Sequence, residues 1–197
     1  MKNTKCFTQK IFQRGFSLIE VLVALVILVI GLIGIFNLHI VAKRGSFESF
    51  QQTQASYYAN DMINRIKLNR TEMSKYHDTY SSVTSSPSPI CQGANLCTPS
   101  QLVLADKYEW KQAIFGETEK VAGKAVGGLD TPTGCVKIWR EKVINPATGK
   151  YEEIGELTRE VTVTISWQGI SSTSDAGGDC GTASTRRRVY SIQTVIM

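Results

Sequence analysis

The longest apolar interval in the chain is VLVALVILVIGLIGIF, Val21 to Phe36, sixteen residues without a strongly polar side chain. Continued through Asn37 and His39 to Ala42 it covers 22 residues, about 33 Å as a helix and enough for the hydrocarbon core of a bilayer. Beyond it the pattern turns from uniformly apolar to periodic. No proline occurs from Ala42 to Ser74, and only Gly45 interrupts residues that favour a helix. Phe47, Phe50, Tyr58, Met62 and Ile66 recur at helical spacings and predict one apolar face, with Gln51, Gln52, Asn60 and Lys67 on the other side. Together the two patterns predict one helix of roughly 55 residues and about 80 Å. Its first half is built for a membrane and its second half for packing on a globular head.

The remainder alternates between loops and shorter elements. TYSSVTSSPSP, within Tyr76 to Pro89, reads as a loop. Thr98-Pro99-Ser100-Gln101 reads as a helix start, with Thr98 as N-cap, Pro99 in the first position and Gln101 closing a capping box. Leu102, Leu104, Ala105, Tyr108 and Phe115 are then expected to point inward, with Trp110 near the same surface. Gly116 to Gly134 is glycine-rich and predicted irregular. Three alternating segments follow: Cys135 to Arg140, Glu160 to Trp167, and Arg186 to Ile196. The turn-forming cluster Asn145 to Gly149 predicts a hairpin, and Ser171 to Ser184 a loop. The fold class expected is α+β: a long N-terminal helix on an antiparallel sheet of at least three strands.

Charge and cysteines change the picture in two places. The formal net charge is +5, but Lys2, Lys5, Lys10 and Arg14 all fall before the apolar run, in a segment without acidic residues. Removing those four from the 22 basic residues leaves them nearly balanced by the 17 acidic ones. The basic excess therefore belongs to the N-terminal tail and carries no nucleic-acid inference. It does orient the helix, because positive residues stay on the cytoplasmic side and the rest of the chain is exported.

Cys6 lies in the tail, while Cys91, Cys97, Cys135 and Cys180 lie in the body without a C-x-x-C pair. That spacing argues against a zinc site and suits two disulfides in an oxidising compartment. Three connectivities are open. The favoured one, Cys91–Cys97 with Cys135–Cys180, closes loops that the chain-entropy relation values at about 2.4 and about 4 kcal/mol.

Glu20 is the anomaly. A carboxylate at the start of a membrane-length run costs roughly 3 kcal/mol on insertion scales unless it is neutralised. A secretory signal peptide would be shorter and followed by a small-x-small cleavage site, and a plain signal anchor has no use for Glu20. GFSLIE, Gly15 to Glu20, between a short basic leader and an apolar helix, resembles the processing site of type IV pilins and the related pseudopilins. RGFSLIEVLVALVILVIGLIGI is similar, more narrowly, to the start of minor pilins of the PilV type; the similarity is strong from Arg14 to about Asn37 and weaker beyond.

The resemblance implies that a prepilin peptidase cuts between Gly15 and Phe16 and methylates the new amine of Phe16. It implies that Glu20 pairs with the Phe16 amine of a neighbouring subunit, so that it serves subunit assembly rather than catalysis. Residues 1–15 are then a leader, 16–42 the membrane and assembly helix, 43–75 its amphipathic continuation, and 76–197 a periplasmic head. The implied partners are other minor pilins, the major pilin, the inner-membrane assembly platform and an adhesin at the fibre tip. The implied location is the bacterial inner membrane, single-pass with the N-terminus in the cytoplasm, and then the extracellular pilus. A disulfide from the Cys180 loop to the Cys135 strand is also pilin-like.

Other chemistry is sparse. His39 and His77 have no cysteine or carboxylate at metal-ligand spacing, and neither a phosphate-binding loop nor a nucleophile elbow occurs. The segment Asp175 to Asp179 lacks the alternating ligands of a calcium loop, and Asn69-Arg70-Thr71 matches a glycosylation pattern too short to weigh. No enzyme activity, cofactor or metal is expected. Arg186, Arg187 and Arg188 form a basic cluster that reads either as a DNA-binding patch or as charge guarding a strand edge. A minor pseudopilin of a type II secretion system, a tip module contacting DNA or host surfaces, and a signal-anchored periplasmic enzyme are the alternatives to a pilus subunit.

Overall fold

The computed structural model describes residues 15–91, 93, 96–140, 142–144, 146, 148–149, 151–153, 159–173 and 179–197. The segment before Gly15, with Cys6, and residues 174–178, with Asp175, lie outside them. The chain divides into two compact units, with the division after Gly45. In the first, the described residues after Ser17 are helical and exposed throughout. They begin helix α1, Leu18–Leu68.

In the second unit α1 buries Gln51, Ala55, Ala59, Met62, Ile63 and Ile66, a stripe at helical spacing. Met62 and Ile66 are on it and Tyr58 is half-buried beside it, but Phe47 and Phe50 are exposed, at 48% and 57%. Phe47 stands one turn before Gln51, where the buried stripe starts, and Phe50 is rotated about a quarter-turn from that residue. Alanines occupy the stripe where the aromatics were expected, since small side chains let a helix approach closely.

Helix α1 stops at Leu68 rather than near Ser74. Asn69 leaves helical geometry (φ −125°, ψ 54°), and its buried side-chain amide donates to the Pro99 carbonyl at 2.8 Å and the Tyr76 hydroxyl at 3.3 Å. A short polar side chain thus competes with the helix for hydrogen bonds. Its burial also leaves no room for a glycan. A 3₁₀ helix, Arg70–Tyr76, follows. The segment read as loop then supplies strand β1, Asp78–Tyr80.

Helix α2, Pro99–Ile114, opens with both halves of the capping box, the Thr98 hydroxyl accepting from the Gln101 amide and the Gln101 side chain accepting from the Thr98 amide. Its buried face is Val103, Ala105, Asp106, Trp110 and Ile114; of the residues expected inward, Ala105 and Trp110 are on it, Leu102, Tyr108 and Phe115 are half-buried, and Leu104 is exposed. The expected face omitted Asp106 because a carboxylate is rarely buried alone. This one is not alone, as described below.

Short strands β2 (Lys120–Val121) and β3 (Lys124–Ala125) pair within the stretch read as irregular. Strand β4, Thr133–Arg140, follows. Strands β5 (Lys142–Ile144) and β6 (Tyr151–Glu153) pair antiparallel on either side of the predicted turn. The last two strands are β7, Arg159–Gln168, and β8, Arg187–Ile196. The main sheet is antiparallel in the order β1-β4-β7-β8. The fold is α+β and consistent with the type IV pilin fold.

Strand β7 sends Val161, Val163, Ile165 and Trp167 into the core with the period of two that a half-buried strand requires. The core joins this face to α1, the 3₁₀ helix and α2 through Met62, Ile66, Tyr76, Tyr80, Trp110 and Val136. Trp110 is its centre. The indole N–H donates to the Tyr58 carbonyl at 2.8 Å, and the ring meets Tyr80 edge to face with centroids 5.1 Å apart. It also lies over Gly134 of β4, where a Cβ would stand 2.3 Å from a ring carbon. Gly134 is a glycine because the indole takes the space.

A partly buried polar cluster fastens α2 to the end of α1. The Arg65 guanidinium donates to Asp61, Asp106 and Glu109, each at 2.9 Å. The Tyr76 hydroxyl donates to the other Asp106 oxygen through a short bond. Burial works against the charge on Arg65, and the bonds to Glu109, Asp61 and Asp106 outweigh it and raise its pKa. Burial first, and then the hydrogen bond to Asp106, push the Tyr76 phenol up. Asp106 thus sits on an apolar helix face because two donors from elsewhere in the chain meet it there.

Candidate processing and assembly site

Gly15, Phe16 and Ser17 precede α1 in non-helical conformation and all three are exposed. The helix starts where it does because the Ser17 carbonyl accepts from the amides of Glu20 at 3.0 Å and Val21 at 3.3 Å, the first bonds of the helical ladder. Phe16 is 83% exposed, and a Cβ added to Gly15 would meet no atom within 4 Å. The Gly15–Phe16 peptide bond is therefore open to an enzyme, with no side chain on its N-terminal residue to obstruct approach. Glu20 falls in the first turn, where the positive end of the helix dipole favours a carboxylate. Among the described residues no partner side chain reaches it.

From Leu18 to Val41 apolar side chains are exposed on every side of the helix, including Ile19, Leu25, Ile30 and Phe36. α1 is the one helix among the described residues long and apolar enough to cross a membrane. A helix that is apolar all round is stable only where lipid or other helices surround it. His39 is exposed on the same segment.

Residues 12–36 match the family described as the prokaryotic N-terminal methylation motif. Comparison of the chain with curated proteins and with solved structures returns no match. The motif indicates a type IV pilin-like or pseudopilin-like protein. Such a leader implies processing by a prepilin peptidase and assembly with other pilins in a pilus or secretion system, and the helix behind it suggests membrane anchoring.

The body residues singled out in the sequence have varied surroundings. Disulfides join Cys91 to Cys97 and Cys135 to Cys180, with Cα atoms 5.6 Å and 5.9 Å apart. The second bridges 45 residues and pins the loop before β8 to strand β4. His77 Nδ1 accepts from the Ile138 amide at 3.1 Å, just beyond the last β1–β4 pair, Asp78 with Val136. It is a backbone cap.

The three arginines do not form a basic patch. Arg187 is buried at 6% exposure and donates to the Thr131 carbonyl at 3.0 Å, Thr133 Oγ1 at 2.8 Å and Ser166 Oγ at 2.6 Å. Arg188 pairs with Glu48 at 3.2 Å and donates to the Ser171 carbonyl, also at 3.2 Å. Arg186 Nε donates to the Gly169 carbonyl at 2.9 Å, although the residue stays exposed. Adjacent strand residues point to opposite faces, so three arginines in a row cannot present one cationic surface. The DNA-binding reading of this cluster loses its support.

Glu48 makes a functional-looking contact that the sequence did not single out. Its carboxylate accepts from the Ser171 amide at 2.9 Å as well as from Arg188. The Ser171 amide holds the carboxyl below its ordinary value, burial opposes this in part, and Arg188 adds to the lowering. The residues are 123 and 140 positions apart in sequence, and no local pattern couples them.

Proposed function

We propose that the chain is a minor type IV pilin, similar to the PilV type, that primes or supports pilus assembly as a non-catalytic subunit. The observation that carries the reading is the order of features at the N-terminus. An open Gly15–Phe16 bond precedes Glu20, which no partner side chain reaches among the described residues, and a helix apolar on all sides follows. Prepilin peptidase cuts after Gly15 and methylates Phe16, leaving an ammonium group four residues before Glu20. In a bundle of such helices an unpaired carboxylate is costly, and the amine of a neighbouring subunit neutralises it. The charge pair then selects one axial register between subunits. Before assembly the helix holds the subunit in the inner membrane with its head in the periplasm.

Partners in this reading are the major pilin, other minor pilins, the inner-membrane assembly platform and a tip adhesin. The same motif also serves a second reading, a minor pseudopilin of a type II secretion system, and the two disulfides of the head favour the pilus modestly. Mass spectrometry of the mature N-terminus tests the class. A chain beginning at N-methyl-Phe16 is expected, and an uncut Met1 terminus refutes it. Glu20→Ala is expected to be cut normally and yet fail to enter pili. Incorporation at the wild-type level removes the proposed role of Glu20. Co-purification of the subunit with sheared pili or with the secretion apparatus separates the two readings.

A further inference from the structure

A cleft of about 390 Å³ opens at the end of the sheet where the loop before β4, the end of β7 and the loop before β8 converge. Thr131, Thr133, Gln168, Thr182 and Ser184 give it a wall of hydroxyl and amide groups, Phe115 supplies an aromatic surface, and Arg187 lies at its buried side. The volume is in the range of small-ligand sites, which combine an apolar wall with a few fixed polar groups.

The charge balance at Arg187 is unusual. A buried cation is ordinarily paired with an anion. Here the three acceptors are a carbonyl and two hydroxyls, and among the described residues no carboxylate pairs with the guanidinium. Its Nε is fully buried and has no acceptor among the described residues. Among the described residues no counter-charge is at hand, and burial pushes its pKa below the ordinary arginine value.

The surroundings hold the guanidinium in this state. The Cys180 carbonyl accepts from Ser166 Oγ at 2.7 Å, and the Cys135–Cys180 disulfide fixes the same loop. Next along it, Gly181 has φ of +82°, and a Cβ there would stand 2.2 Å from Arg187 Nη2. The loop closes over the cation because residue 181 has no side chain.

We propose that this cleft binds a monoanionic, polyhydroxylated ligand, an acidic monosaccharide unit of the uronic acid type, with its carboxylate on the Arg187 side and its hydroxyls on the threonine, serine and glutamine wall. A single negative charge matches the single buried positive one, whereas a dianion would leave a net charge in the same desolvated place. The hydroxyl and amide groups can both donate to and accept from sugar hydroxyls, and Phe115 offers a surface to the C–H face of a sugar ring. The proposal does not rest on the pilus reading, since it concerns the head alone.

The test is a titration of the full chain in detergent micelles with D-glucuronate, with D-glucose and acetate as controls. Glucuronate is expected to bind saturably, at least tenfold more tightly than either control, because each control carries only half of the recognised chemistry. Arg187→Gln is expected to abolish binding. Because Arg187 also ties the loop before β4 to strands β4 and β7, Thr182→Trp provides a second variant; Thr182 is exposed and lines the cleft, and a tryptophan there fills the cleft while Arg187 is kept. This variant is expected to keep the wild-type circular dichroism spectrum and lose glucuronate. Equal binding of acetate and glucuronate would mean a bare anion subsite and overturn the proposal. So would equal binding of glucose, no saturable binding at all, or wild-type affinity in the Thr182→Trp variant.

Discussion

Gly134→Ala adds one methyl group to strand β4, and the structure states what that methyl would meet. Its Cβ would lie 2.3 Å and 2.4 Å from two carbons of the Trp110 ring, with Ile114 Cδ1 at 3.6 Å. Ordinary carbon contacts begin near 3.5 Å, so the indole must retreat by about 1 Å. It has nowhere to go, since Trp110 is fully buried, stacked edge-on to Tyr80 and bonded to the Tyr58 carbonyl. Overpacking of this kind costs about 1–3 kcal/mol, and weakening the indole hydrogen bond adds about 1 kcal/mol. The expected loss is therefore about 2–4 kcal/mol, close to a third of the stability of an ordinary domain.

Urea unfolding of the full chain in detergent, followed by tryptophan fluorescence, measures this loss. The decisive comparison is Trp110→Leu, which empties the space above residue 134. In that background Gly134→Ala should cost less than about 1 kcal/mol, giving a coupling of roughly 2 kcal/mol between the two sites. A cost below 1 kcal/mol in the wild-type background, or the same cost in both backgrounds, would show that Trp110 is not what requires a glycine.

Replacing Cys135 and Cys180 together by alanine opens a 45-residue loop and should cost about 4 kcal/mol in the same assay; a loss below 1 kcal/mol would contradict the role given to the tether. Tyr76→Phe removes the hydroxyl that donates to buried Asp106 and should cost about 1–2 kcal/mol, while stability equal to wild type would mean that Arg65 alone satisfies the carboxylate. Glu48 has a folded-state pKa below its ordinary value of 4.5. Its contribution is thus present above pH 4.5 and fades as pH falls through the folded value. Glu48→Gln should therefore be less stable than wild type at neutral pH, with the gap narrowing in acid. A gap that is constant from pH 7 to pH 3 would mean that its charge plays no part.

What the sequence determined by itself is what short-range physics controls. The 22 residues from Val21 to Ala42 are long and apolar enough as a helix to cross a membrane, and in lipid a helix is the form that satisfies its own backbone groups. The capping box at Thr98 and Gln101 is complete within four residues, and the alternation from Glu160 to Trp167 needs only the two faces of a strand. The motif around Gly15, Phe16 and Glu20 is equally local, so it could be read before any fold was known.

The tertiary structure decided whatever depends on a partner distant in sequence. Asp106 is buried because Arg65 and Tyr76 meet it, which shifted the inward face of α2 away from the one its apolar residues predicted. Alanines, not phenylalanines, line the buried stripe of α1, because what counts there is the distance to the sheet. Asp78 to Tyr80 is too short to announce a strand and becomes one only beside β4. Cysteine number pointed to two bonds, but the chain path decides which sulfur atoms meet. The three arginines show this most clearly. In sequence they are one charge cluster, whereas in the fold one is buried beside a cleft, one pairs with Glu48, and one caps a carbonyl. Side-chain alternation along a strand separates neighbours that the sequence places together.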